Sequence, residues 1–309
     1  MNRTSRRSRG SLLLGCIAAV LTLVTTACSG ETASVDSGSG SGGGSDDSKT
    51  VKIAVVEGWD EGTSATYLWK EILEEKGYKV DVQSLDVAST FTGVANKQVD
   101  LYLDAWLPST HESYWKKLGS KLEVTSTWYA PADLNLTVPT YVKDVNSIAD
   151  LKAHASEFGG QIVGIEAGSG LMRLTRESVM PAYGLKDDYQ LTESSSSAML
   201  SALQNAIAKK KPIVATLWRP HWAYAKLPLK VLKDPEGAYG APDKVQAIAP
   251  KGFAADHPEL AGWLKNFKLT SAQLGSLELL LQEKGSGHEQ EAAKEWIGEN
   301  KQLVDSWLK

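Results

Sequence analysis

The chain has 309 residues, with 33 Lys and Arg against 37 Asp and Glu and a formal net charge of −4. That balance lacks the basic excess on which nucleic-acid binding depends. With Cys16 inside the leader described next, Cys28 is the one other cysteine, which excludes disulfides, cysteine metal sites and cysteine nucleophiles.

Arg3, Arg6, Arg7 and Arg9 precede an apolar run from Leu12 to Val24, the charge-then-apolar order of a secretory signal. The run is shorter than the ~20 residues needed to cross a bilayer. Thr25-Thr26-Ala27-Cys28 resembles a bacterial lipoprotein processing site, so residues 1–28 read as a signal peptide ending at a lipidated Cys28. Residues 29–49 are rich in Ser, Gly, Asp and Glu, too polar to bury a core, and read as a flexible tether. Together these predict a body outside the cytoplasm, anchored to the outer face of the cytoplasmic membrane through Cys28.

From Val51 onward, short apolar runs alternate with helical periodicity, the pattern of βαβ units on a largely parallel sheet. Val51–Val56 is a predicted strand. Ala65, Leu68, Trp69 and Ile72 then mark one face of a helix over 64–76, stopped by Gly77. A strand over Lys79–Leu85, a short helix opened by Ser89 and a strand over Val99–Ala105 complete the unit. The order recurs with a strand at Gln161–Ile165, a helix over Gly170–Met180 stopped by Pro181, a strand at Tyr189–Leu191, a helix over 198–209 and a strand at Pro212–Leu217.

The first unit ends in Trp106 and the second in Trp218, after stretches of nearly equal length. Two such units predict an α/β fold of two lobes facing each other. Leu134–Val142 and Lys244–Pro250 are the expected crossings of a two-stranded hinge, and 253–309 is expected to be helical and to pack back on the first lobe. The division is lobe 1 over 50–140 and 250–309, and lobe 2 over 141–249. Ligands of open α/β sheets bind beyond the carboxyl ends of the strands, which here face the cleft.

The chain has ten tryptophans. Trp69, Trp263, Trp296 and Trp307 fall on amphipathic helical positions and read as core. Trp59, Trp106 and Trp218 instead sit at strand ends beside Gly, Pro or polar residues, and are expected to line the cleft. A trimethylammonium group donates no conventional hydrogen bond, so a site for it uses the negative faces of aromatic rings, each worth ~0.5–2 kcal/mol away from water. The turn Glu166-Ala167-Gly168-Ser169-Gly170-Leu171 opens a helix, where free N–H groups and the helix dipole favour an anion. His111 follows Trp106 closely enough to donate into the same pocket.

Gly58-Trp59, Asp104-Ala105-Trp106-Leu107-Pro108-Ser109-Thr110-His111, Gly168-Ser169-Gly170-Leu171-Met172 and Trp218-Arg219-Pro220-His221-Trp222, in this order, resemble the glycine betaine-binding proteins of ABC importers. The resemblance covers nearly all of residues 50–309. It implies a two-lobed, type II periplasmic-binding-protein-like fold, a monomer that takes no cofactor or metal and works with membrane permease and ATPase subunits. It further implies that Trp59, Trp106 and Trp218 form an aromatic prism, that His111 contacts the ligand carboxylate, and that Gly170 and Leu171, with Ser169 beside them, offer N–H groups. The family pattern has Gly where Leu217 stands, with Arg219 next, so Trp222 is an alternative third wall.

No G-x-S-x-G elbow, H-E-x-x-H helix or P-loop is present, so an enzyme is the weaker reading. Within the binding class, choline and carnitine are the alternatives to glycine betaine and proline betaine. Asp60 or Glu61 near the rings would favour choline by charge, whereas the His111 donor favours a carboxylate.

Overall fold

A computed structural model describes residues 49–309. The leader, Cys28 and almost all of the tether lie outside the described residues. The elements run β1 (Thr50–Val55), α1 (Asp60–Glu75), β2 (Lys79–Ser84), α2 (Val87–Ala95), β3 (Leu101–Leu107), α3 (Glu112–Leu118) and β4 (Leu122–Pro139). After a 3₁₀ segment at Ile148–Phe158 come β5 (Gln161–Val163), α4 (Gly170–Leu174), a π turn over Thr175–Val179 and α5 (Met180–Ala182). Next are β6 (Gln190–Thr192), α6 (Ser196–Ala208), β7 (Ala215–Arg219), α7 (Ala223–Lys226), β8 (Leu229–Val231) and β9 (Asp243–Pro250). The chain closes with α8 (Phe253–Asp256), α9 (Pro258–Asn266), α10 (Ser271–Lys284), α11 (Glu289–Glu299) and α12 (Lys301–Trp307).

Two sheets share one strand. The first has the order β2-β1-β3-β9-β4; the second runs β4-β7-β5-β6, with β8 also on β4. The βα units pair in parallel, β1 with β2 and β3, β5 with β6 and β7. Strands β4 and β9 pair antiparallel to their neighbours. The sheets are therefore mixed and not largely parallel, because the strands that carry the chain between lobes enter the ladders themselves. Strand β4 pairs with β9 from Leu122 to Ala132, then with β7 from Asp133 to Thr137. Within β4, Asp133–Thr137 pairs with β7 of the second sheet, while Asp243–Pro250 of β9 pairs within the first. Extended segments run on as sheet strands because every buried N–H and C=O needs a partner.

Local chemistry sets the elements that reach the cleft. Helix α1 begins earlier than the apolar stripe indicated, with Asp60 and Glu61 in its first turn, where acidic groups offset the dipole. Gly77 ends that connection at φ +82°, as expected. Helix α2 is capped by Asp86, whose Oδ1 accepts from the Ser89 N–H at 2.9 Å, so Ser89 lies inside the first turn and does not open the helix. The second-lobe helix runs through Pro181 to Ala182 and does not stop before it. Helices α10 and α11 pack on α1. Trp69, Trp263, Trp296 and Trp307 are all buried, Trp69 edge-on to Phe267 at 5.5 Å.

Candidate functional site

Between the lobes lies a small cavity whose walls include Trp59, Trp106 and Trp218. Each ring arrives by a different route. Trp59 is the residue before α1, Trp106 is the next-to-last residue of β3, and Trp218 lies near the end of β7, opposite Leu134 of β4. Trp106 and Trp218 are thus within their strands, not past them. All three side chains are buried.

The polar side of the cavity carries Glu61, Thr110 and His111 from the first lobe and Ser169, Gly170 and Leu171 from the second. Leu134 and Ile165 complete the lining. His111 is fully enclosed, stacked on Trp59 at 5.6 Å and 10°. Its Nδ1 accepts the Trp106 backbone N–H at 2.9 Å, which leaves the ring proton on Nε2. That Nε2 is buried and has no partner among the described residues. Burial, then the nearby Arg173 cation, lowers His111 to about 3, so the ring is neutral at ordinary pH. The Ser169 Oγ accepts from the Met172 N–H at 3.2 Å, and the helix start leaves the N–H groups of Gly170 and Leu171 without intrahelical acceptors.

The lobes touch around this cavity. Tyr114 Oη donates to Gly168 O at 2.8 Å, and Arg173 Nη2 donates to Ser109 O at 3.0 Å. Thr110 itself is fixed by Asp243, whose Oδ2 accepts from its N–H at 2.8 Å and its hydroxyl at 2.6 Å. A Cβ on Gly170 would lie 2.0 Å from Thr110 O, so the second lobe approaches this carbonyl as only glycine permits.

Trp222 and Asp60 do not line the cavity. Trp222 Nε1 donates to Asp60 Oδ2 at 2.7 Å, outside the ring of indoles. His221 is enclosed beside it, its Nδ1 accepting from the Ala223 N–H at 3.1 Å and its Nε2 3.4 Å from Asp60 Oδ2.

The model for the substrate binding domain of ABC-type glycine betaine transport systems matches residues 49–299. The chain belongs to this family. Among curated proteins, the glycine betaine/carnitine transport binding protein GbuC of Listeria monocytogenes is 38% identical over 146 residues, 47% of this chain and 48% of that protein. The match therefore spans about half the length of that relative. Lactococcal OpuAC, solved closed with glycine betaine, superposes with a TM-score of 0.79 at 34% identity, covering 84% of this chain and all of that one. An ABC-transporter choline binding protein in complex with choline gives 0.76 at 27% identity, over 86% and 93%. The fold is the two-lobed, periplasmic-binding-protein-like α/β fold of these structures.

In this member of the betaine-transport family, carboxylates cluster beneath the cage. Burial pushes Glu61 up to about 8, against the lowering effect of a hydrogen bond from Trp218. Asp60 rises to about 6 through burial, and Asp104 and Glu278 lie well above the usual carboxylate range from burial and mutual repulsion. Glu61 enters the lining although its neighbour Asp60 does not. Leu134 and Ile165 carried no signal as site residues, and Asp104 and Thr110 lay inside a motif without a role of their own. Among the described residues no group of His, Cys, Asp and Glu is placed to hold a metal ion.

Proposed function

We propose that this chain captures a small zwitterionic quaternary-ammonium compound, glycine betaine first among them, between its lobes. It presents that ligand, as a single chain held outside the cytoplasm through a lipidated Cys28, to the permease and ATPase subunits of an ABC importer. The observation that carries the reading is a buried cavity with indole rings for walls and one unpaired imidazole N–H at its polar side. The rings suit a methylated cation, at ~0.5–2 kcal/mol each. The neutral His111 Nε2–H, with the N–H groups of Gly170 and Leu171, suits a carboxylate.

A choline-type ligand is the second reading, supported by Glu61 in the lining, a carboxyl next to where a cation would sit. Carnitine shares both ends with betaine and differs in length. Calorimetry of the mature protein against glycine betaine, proline betaine, carnitine and choline tests the assignment. Tightest binding of glycine betaine is expected. Choline binding more tightly than every carboxylate-bearing ligand would overturn it.

A further inference from the structure

Each indole facing the cavity gives its N–H to a carboxyl oxygen of an acidic side chain. For Trp106 the acceptor is on its own strand, with Nε1 donating to Asp104 Oδ1 at 2.8 Å. For the other two it is on the opposite lobe. Trp59 of the first lobe donates to Glu166 Oε2 of the second at 3.3 Å, and Trp218 of the second donates to Glu61 Oε2 of the first at 2.8 Å. Each lobe thus supplies one ring and receives another.

The acceptors are held before the rings arrive. Glu166 Oε1 accepts from the Ser196 N–H at 2.7 Å and its Oε2 from the Ser196 hydroxyl at 2.8 Å, both within the second lobe. Glu61 is buried in the first turn of α1, one residue from Gly62, where a Cβ would fall 2.6 Å from Asp104 Oδ2. The packing of Asp104 against that turn leaves Glu61 little room. Just outside the cavity the pattern repeats, since Trp222 donates to Asp60 and Asp60 Oδ1 accepts from Gln282 of α10 at 3.1 Å. An indole N–H is a donor only, and enclosing it without an acceptor costs free energy. Open lobes leave these N–H groups to water; closed lobes give them carboxylates.

We propose that Glu61 and Glu166 are positioning residues that latch the lobes, fixing Trp218 and Trp59 across the cleft so that cage walls and closure depend on the same two bonds. The proposal rests on the reading of the cage given under the proposed function. It adds that each ring, already packed against a histidine of its own lobe, is also held from the facing lobe.

The test measures two quantities on full-length mature protein at pH 6.5. Calorimetry with glycine betaine gives affinity, and spin labels placed one on each lobe give the closed fraction with and without betaine. Glu61→Ala is expected to weaken betaine binding about tenfold and Glu166→Ala similarly, the scale of one lost hydrogen bond to a buried donor. Glu61→Gln and Glu166→Gln, which keep an acceptor oxygen, should restore most of the affinity. In a Trp218→Phe background, where no N–H remains, Glu61→Ala should cost less than threefold, a coupling that general destabilisation would not produce. Equal losses in both backgrounds would overturn the latch while leaving betaine capture intact. If the wild type binds no betaine, the proposed function fails, and the ligand-free closed fraction then decides the latch. A smaller closed fraction in the alanine variants supports it, and equal fractions refute it.

Discussion

Gly170→Ala probes the closest approach between the lobes. The added Cβ would stand 2.0 Å from Thr110 O and 2.6 Å from Thr110 Cγ2, whereas ordinary contact begins at 3.4 Å. The lobes must retreat by about 1.4 Å there, because Thr110 is tied to Asp243 and cannot yield alone. Overpacking of this kind costs about 1–3 kcal/mol, and separation also strains the Arg173 bond to Ser109 O, worth about 1 kcal/mol. A loss of about 2–4 kcal/mol corresponds to roughly 30- to 1,000-fold weaker glycine betaine binding. Isothermal calorimetry measures that loss, and small-angle scattering at saturating betaine should show a more open particle. The ligand-free unfolding midpoint should stay within 2 °C or so of wild type, since the open protein does not make the contact. Wild-type affinity in Gly170→Ala would refute the close approach as a feature of the bound state.

Three further outcomes follow from the same geometry. Trp106→Ala should weaken binding by ~1–3 kcal/mol, one cage wall with the water it excludes, and calorimetry that finds unchanged affinity removes Trp106 from the site. His111→Ala should reduce affinity for glycine betaine at least tenfold more than for choline, because betaine offers Nε2 a charged carboxylate and choline only a neutral hydroxyl; equal losses would give His111 a structural role alone. Stability should depend on pH through Glu61, raised from 4.5 to about 8 in the folded state. The folded protein holds this proton more tightly than the unfolded chain, so the stability it confers is complete below pH 4.5 and is lost as pH rises towards 8. His111 and His221, lowered from 6.5 to about 3, act with the opposite sign below pH 6.5. At saturating betaine, with the lobes closed over Glu61, the unfolding midpoint should therefore fall between pH 6.5 and 8, and Glu61→Gln should flatten that fall; a slope unchanged by the substitution would contradict the burial of this carboxyl.

The three cage rings were legible because a tryptophan beside Gly, Pro or a polar strand end has no apolar stripe to join. His111 was legible as a neighbour of Trp106, although only the Trp106 N–H on its Nδ1 fixes which nitrogen carries the proton. What the sequence hid is what depends on the two lobes meeting. Glu61 and Glu166 are separated from Trp218 and Trp59 by more than a hundred residues, and no local pattern marks a carboxylate as the acceptor for a distant indole. Asp60 and Glu61 looked alike in sequence, yet the rotation of about 100° between consecutive helical residues sends the first to Trp222 and the second into the cavity. The length of β4 was also hidden, since Ala130-Pro131-Ala132 reads as a break. In the structure that segment coincides with a register shift between Tyr129 and Ala132, a place where a strand tolerates proline.

Strand β4 is continuous through the point where it trades one ladder partner for another. Two bodies joined by loose loops sample a cone of orientations, but bodies that share a hydrogen-bonded ribbon move mainly by twisting that ribbon. Under the proposed function, that twist would supply a narrow path between gaping and shut, so a docking membrane subunit would meet a small number of well-defined silhouettes and could distinguish loaded from empty by shape.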